Sequence, residues 1–195
     1  MSDRFTEAIA RIDAANADDP NTIVVDGAER PKEQAHAEMV SSWVRKLDPG
    51  ASELQLIAAR AHHLRRWTVP RSDYPEGRSG YLRWRTALKK QHADDVAEIL
   101  AEVGYADEEI DRVGEIIRKQ GLATDPQVQT HEDALCLVFL ATQLDETLAK
   151  LDDDDHRIDV LRKTAAKMSP EALEIAGGLD YSPDSAELLG RALGD

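Results

Sequence analysis

The feature that most constrains this chain is its hydrophobic spacing. Apolar residues return at steps of three and four along nearly the whole length, the period of an amphipathic helix, with scarcely any alternation of the kind a strand requires. The pattern reads as a short helix over 4–15, one from Pro31 to about Leu47, a third from Ala51 to Trp67, a long one from Gly80 to Glu102, another from Asp107 to Gly121, and a second long one from Thr130 to about Leu151. Ser169-Pro170-Glu171 and Ser182-Pro183-Asp184 are cap-plus-proline starts for two short terminal helices. The stretch Asn16–Asp26 reads as a loop, with Thr22–Val25 as a brief extended piece that finds no strand partner. Thr68–Ser79, rich in proline and glycine, interrupts the helices. No repeat or low-complexity linker divides the chain, so the expectation is one all-α domain over 1–195.

Charge narrows the partners. The 195 residues hold 38 acidic and 24 basic side chains, a net charge of −14. That field repels extended nucleic acid and anionic membrane alike. The longest apolar run, Ala134–Ala141, falls far short of the roughly 20 residues of a membrane span. The first residues lack the basic-then-apolar order of a secretory signal, and the lone Cys136 has no partner for a disulfide or a zinc pair. A cytoplasmic protein is expected, with Cys136 in the core. One segment runs against the total: Arg65–Lys90 is net +6 and holds four of the nine aromatic residues. A compact basic and aromatic segment on an acidic protein suits a small anion better than a long polyanion.

The positions of the histidines carry the chemistry. His36 precedes the stripe Met39, Val40, Trp43, Val44 and Leu47 on the same helical face. His62 follows Ala58 by four, and His63 lies about 100° further round the same helix. His92 fills the gap between Leu88 and Val96, and Asp133 precedes Leu137, Ala141, Leu144 and Leu148. Burying such groups without partners costs several kcal/mol in the worst case, so something must satisfy them. A divalent transition ion would satisfy His36, His62, His63 and Asp133 at once. A hydrogen-bonded core satisfies each histidine singly, and Thr130…Asp133 also fits a capping box that merely starts a helix. His131 and His156 flank helix ends and are expected at the surface, and Asp152–Asp155 reads as a solvated helix junction.

The order of these residues resembles the HD-domain superfamily, helical metalloproteins with a His, then a His-Asp doublet, then a distant Asp. His36 matches the first position, Ala58-Ala59-Arg60-Ala61-His62-His63-Leu64 the doublet segment, and Asp133-Ala134-Leu135 the last. His92 through Leu100, with Glu109-Ile110 and Ile116–Gln120, is similar to the intervening helix pair. The resemblance covers about 30–150, leaving about 155–195 as a C-terminal helical extension. It is also similar to an uncharacterised branch known only as a domain of unknown function. His63 stands where the pattern has Asp, leaving the site one negative charge short. Gln120 stands where binuclear members place a His, so the resemblance implies one ion (Mn, Zn, Fe, Ni or Co).

The expected activity is a metal-dependent phosphohydrolase acting on a nucleotide or another small phosphorylated molecule. A metal-bound water would be the nucleophile. His92 or a nearby carboxylate would manage the proton, with Arg66 beside it. Arg65, Arg71, Arg78 and Arg85 would hold phosphate, and Tyr74 or Tyr81 would stack on a base. Two rivals stand beside it: a degenerate HD-like module that binds a nucleotide or acidic partner without turnover, and an iron-dependent oxygenase.

Overall fold

Ser2 starts the first helix with its side chain: its Oγ accepts the Phe5 N–H at 3.2 Å, and α1 runs Asp3–Ala17 with Phe5, Ala8 and Ile12 buried. The structure, a computed structural model, describes residues 1–194. They are all-α in class apart from one small hairpin. Thr22–Val25 (β1) does find a partner: Ala28–Pro31 (β2) pairs with it antiparallel, turning through Asp26 and Gly27 at positive φ. Two four-residue strands flanked by polar turn residues give too short a period for the sequence to reveal.

The hairpin delivers the chain to α2, Lys32–Leu47. Pro31 has no side-chain cap to offer, so Asp19 supplies it from the preceding loop, its Oδ2 accepting the Glu33 N–H at 3.0 Å. Ser52 and Gln55 form a reciprocal capping box at the start of α3, Glu53–Ala61. A long helix, α4, spans Gly77–Val103, and α5 spans Asp107–Arg118. Helix α5 ends on Lys119 in the left-handed region, with Gln120 exposed in the turn beyond. Helices α1 to α5 pack together around Ile12, Val40, Val44, Leu56, Ile57, Leu64, Leu100 and Ile116.

The next helix, α6, begins earlier than expected, at Pro126 rather than Thr130, and ends at Thr142. Asp125 is the reason: its Oδ1 accepts the N–H groups of Gln127 and Val128 while Arg112 grips the same carboxylate. Asp125-Pro126 is the same cap-plus-proline signature that marks the two terminal helices. Thr130 is therefore well inside α6, and the capping-box reading of Asp133 falls away.

The chain forms two compact units, residues 1–131 and those from Glu132 onward, with the division falling inside α6. In the second unit Gln143 breaks the expected long helix, and α7 follows at Leu144–Ala149. Helices α8 (Asp154–Ala165), α9 (Pro170–Gly177) and α10 (Pro183–Leu193) complete it. Asp153 caps α8 through the His156 N–H, and Asp154 pairs with Arg157 and Arg191, so the acidic run is a helix junction as expected. Helix α10 packs on α8, with Leu161, Leu188 and Ala192 buried. Among the described residues no helix is long and apolar enough to cross a membrane.

Candidate functional site

The end of α3 departs most from expectation, and that departure builds the site. The helix stops at Ala61 instead of Trp67. The chain then turns through His62–Leu64, places Arg65 in the left-handed region at φ 52°, and makes a short 3-10 turn at Arg66–Thr68. Unwinding strips carbonyls of their helical partners, and α4 collects them. His92 Nδ1–H donates to the Leu64 carbonyl at 2.9 Å, and Gln91 Nε2 reaches the Arg65 carbonyl at 3.4 Å.

Four imidazoles gather beside this turn in the first unit. The ring centroids of His62 and His63 lie 4.2 Å apart, those of His63 and His92 5.7 Å, and those of His62 and His131 6.4 Å. His62 Nδ1–H donates to the Ala59 carbonyl at 3.0 Å, which leaves Nε2 as the lone-pair atom. His92 follows the same rule, and its Nε2 is buried with no hydrogen-bond partner among the described residues.

Glu33, only 5% exposed, sits against the group from α2. Its Oε2 lies 2.9 Å from His63 Nδ1 and 3.8 Å from His36 Nδ1, while its Oε1 is 3.7 Å from Arg66 Nε. Arg66 Nη1 lies 3.3 Å from His63 Nε2. Arginine can only donate, so His63 Nε2 is the acceptor and its proton sits on Nδ1, facing Glu33. The Arg66 guanidinium also lies 4.8 Å from the centre of the Trp84 ring.

Burial sets the charges. It drives His62 well below its ordinary value, with His63 and His131 adding to the effect. His63 falls to about 4 through burial and the charges of Arg66 and Arg85, against the pull of Glu33. His92 falls to about 3, again chiefly by burial. Burial raises the Glu33 carboxyl, but His63, His36 and Arg66 outweigh it and hold the group far below the usual carboxylate range. At neutral pH these three imidazoles are neutral lone-pair donors facing an ionised Glu33.

The arginines and aromatics divide by helical face. Tyr81, Trp84, Arg85, Leu88 and His92 lie at steps of three and four on the side of α4 that meets the histidines. Arg85 is felt electrostatically by both His63 and Arg66, yet makes no hydrogen bond or ion pair among the described residues. Tyr81 is 44% exposed and lies 5.9 Å from Trp84, which is half-buried, so neither ring belongs to the core. Arg78 lies on another face, lining an open groove with Leu82, Arg83 and Lys90. Arg71 is occupied as a loop staple: its Nη1 donates to the Tyr74 carbonyl at 2.8 Å. Arg65 offers its backbone to Asn16 and Gln91, and its charge acts on Asp95 rather than on the histidines. Tyr74 is half-buried in that same loop.

Asp133 belongs to the second unit, where its buried Oδ1 accepts the Ser169 N–H at 2.8 Å at the start of α9. Sequence reasoning missed two residues in the first unit. His131 is 2% exposed rather than at the surface, because α6 begins four residues earlier and rotates it inward. Glu33 was legible in principle, three residues before His36 on the same face. Its value as a partner depends on the hairpin and on the unwound end of α3, which the sequence did not show.

The donor chemistry suits a transition ion. Neutral imidazoles with Nδ1–H tied to carbonyls or a carboxylate, and Nε2 left as a lone pair, are the form in which histidine ligates metal. His92 Nε2 is such an atom, buried and unpartnered. Among the described residues no three His, Cys, Asp or Glu side chains are drawn together closely enough to hold an ion as they stand.

Comparison with known proteins gives a family and no activity. No curated protein matches the chain, and no solved structure does. A family model described as a domain of unknown function, DUF4202, matches residues 6–189. That match takes in Glu33, all six histidines and the basic segment of α4, and the chain belongs to the DUF4202 family.

Proposed function

We propose that this protein is a metal-dependent phosphohydrolase of HD-like type, acting on a nucleotide or another small phosphorylated molecule. The observation that carries this reading is the meeting of buried, neutral imidazoles with two guanidinium groups, Arg66 and Arg85. Lone pairs attract a cation and guanidinium forks attract a phosphoryl group, and a metallophosphohydrolase needs both within one small volume. His62, His63 and His92 would hold the ion, with His36 at its edge; a bound ion would supply an acidified water and polarise a phosphoryl oxygen. Arg66, steadied by Trp84 and Glu33, and Arg85, without a hydrogen-bond or ion-pair partner among the described residues, would orient the phosphate. Tyr81, half exposed beside Trp84, offers a stacking face for a base.

The test is phosphate release from a panel of nucleoside mono-, di- and triphosphates and sugar phosphates, with Mn, Co, Ni, Zn or Fe added singly. Turnover that falls at least a hundredfold in His62→Ala supports the reading. Absence of turnover with every metal and substrate removes it. One observation favours a second reading: His63 has both ring nitrogens engaged, by Glu33 and Arg66. A binding module in which Arg66 and Arg85 hold an anion without turnover is consistent with that, and tight phosphate-ester binding in the inactive case would select it.

A further inference from the structure

Helix α4 carries its charges in the order a helix least favours. Every basic residue lies in its first half, from Arg78 to Lys90, and every acidic one in its second, from Asp94 to Glu102. The macrodipole makes acids stabilising near the N-terminus and bases near the C-terminus, so the stability of the helix by itself gives no reason for this order. The charges also lie on a seam. Arg83, Ala87, Lys90, Asp94, Ala97 and Ala101 recur at steps of four and three, so they share one face along about 27 Å of helix. Ala87 and Ala97 are half-buried and the other four are exposed. Lys90 pairs with Asp94 one turn on, while Arg83 and Glu98, at the basic and acidic ends, make no hydrogen bond or ion pair among the described residues. Leu82, 52% exposed, stands beside Arg83 in the open groove.

We propose that this face is a dimer interface whose occupant is a second copy of α4 running antiparallel. The pattern is self-complementary about a twofold axis between Lys90 and Asp94. Lys90 meets the partner's Asp94, and Ala87 meets the partner's Ala97. Arg83 lies opposite the partner's Ala101, from where its long side chain reaches the partner's Glu98. Each contact occurs twice, as an isologous interface requires. The basic half of each helix covers the acidic half of the other, and the alanines let the two backbones approach. Each chain is net −14, but that repulsion is screened beyond about 8 Å at physiological salt, whereas the seam charges are in contact. One helix a side is small beside the roughly 800 Å² that each partner buries in a standard interface, so the dimer is weak and concentration-dependent. The inference is independent of the metal-dependent reading above.

Sedimentation equilibrium of the full chain, over a concentration series at physiological salt, should show a reversible rise from the monomer mass towards twice that mass. Arg83→Glu and Glu98→Arg each set like charges across the seam twice, and each should weaken the dimer at least about tenfold. Both positions are exposed and both changes run with the macrodipole, so the helix should stay folded by circular dichroism. Mixed in equal amounts, the two variants should pair about as tightly as the unsubstituted protein, since each then presents the charge the other lacks. A monomer at every concentration overturns the proposal; binding of a polyglutamate peptide that is lost in Arg83→Glu but kept in Glu98→Arg would then assign the groove to an acidic partner instead. A dimer that neither substitution weakens overturns it, because the contact would lie on another surface. Failure of the mixture to recover overturns it as well, because the two charges would not face each other.

Discussion

His92 and Leu64 meet across 28 positions of sequence: the imidazole Nδ1–H donates to the carbonyl at 2.9 Å, and both residues are buried. The contact ties the centre of α4 to the unwound end of α3. It also fixes which nitrogen of His92 is left to the cluster. Fold and site thus depend on the same hydrogen bond.

Replacing His92 with Phe keeps most of the volume and leaves the Leu64 carbonyl buried without a partner. A loss of about 1–3 kcal/mol is expected, the cost of an unsatisfied buried polar group. Urea denaturation would measure it as a lower midpoint at unchanged slope. An undiminished midpoint would mean that Leu64 finds another donor.

Acid should destabilise the metal-free protein well above the carboxylate range. His63 and His92 titrate near 4 and 3 in the folded chain against about 6.5 when unfolded, and His62 is also depressed. The unfolded chain therefore binds more protons than the folded one below pH 6.5. Stability is complete above that pH and declines as pH falls towards 4. The depressed Glu33 carboxyl adds a loss in the same direction below its ordinary value of 4.5. Denaturation midpoints at pH 7.5, 6.0 and 5.0 should fall in that order; a flat series would contradict the neutral imidazoles.

Arg85 and Arg78 separate anion binding from bulk charge. Both add one positive charge, but only Arg85 acts on His63 and Arg66. Arg85→Ala should weaken binding of inorganic phosphate about tenfold or more, with thermal stability unchanged because the side chain has no ion pair to lose among the described residues. Arg78→Ala should alter it less than about twofold, the scale of a screened, distant charge. Equal effects would place the anion elsewhere on α4.

Gly80 is the point of closest approach between α4 and the Tyr74–Glu76 loop. A Cβ there would lie 1.8 Å from the Pro75 carbonyl oxygen, inside hard contact with backbone. Gly80→Ala must displace the loop, at a cost of about 1–3 kcal/mol. Faster trypsin cleavage at Arg71 or Arg78, together with a lower Tm, would register the displacement.

Local chemistry made much of the fold readable. Ser169 and Ser182 cap the helices their Ser-Pro signatures announce, and the stripes through Val40 and Val44, and through Leu88, His92 and Val96, are buried as their periods require. Asp125-Pro126 carries the same signature, and α6 starts there rather than at Thr130, so His131 lies inside the helix and is buried instead of flanking its end. Of the basic residues, Arg66 and Arg85 meet the histidines. Arg71, with the same chemistry and a similar position in sequence, is bound into its own loop.

What the sequence determined by itself is what neighbouring residues decide among themselves: the helical period, most of the caps, and burial of His36, His62 and His92 on apolar faces. What only the tertiary structure decided is which groups face one another. Helix α3 yields its last turn because His92 and Gln91 accommodate the freed carbonyls from 26 and more positions away. Glu33 meets His63 because a hairpin and the Asp19 cap set the start of α2 against that turn. No local spacing encodes such contacts, since each depends on where a separate helix is laid down by the packing of the core.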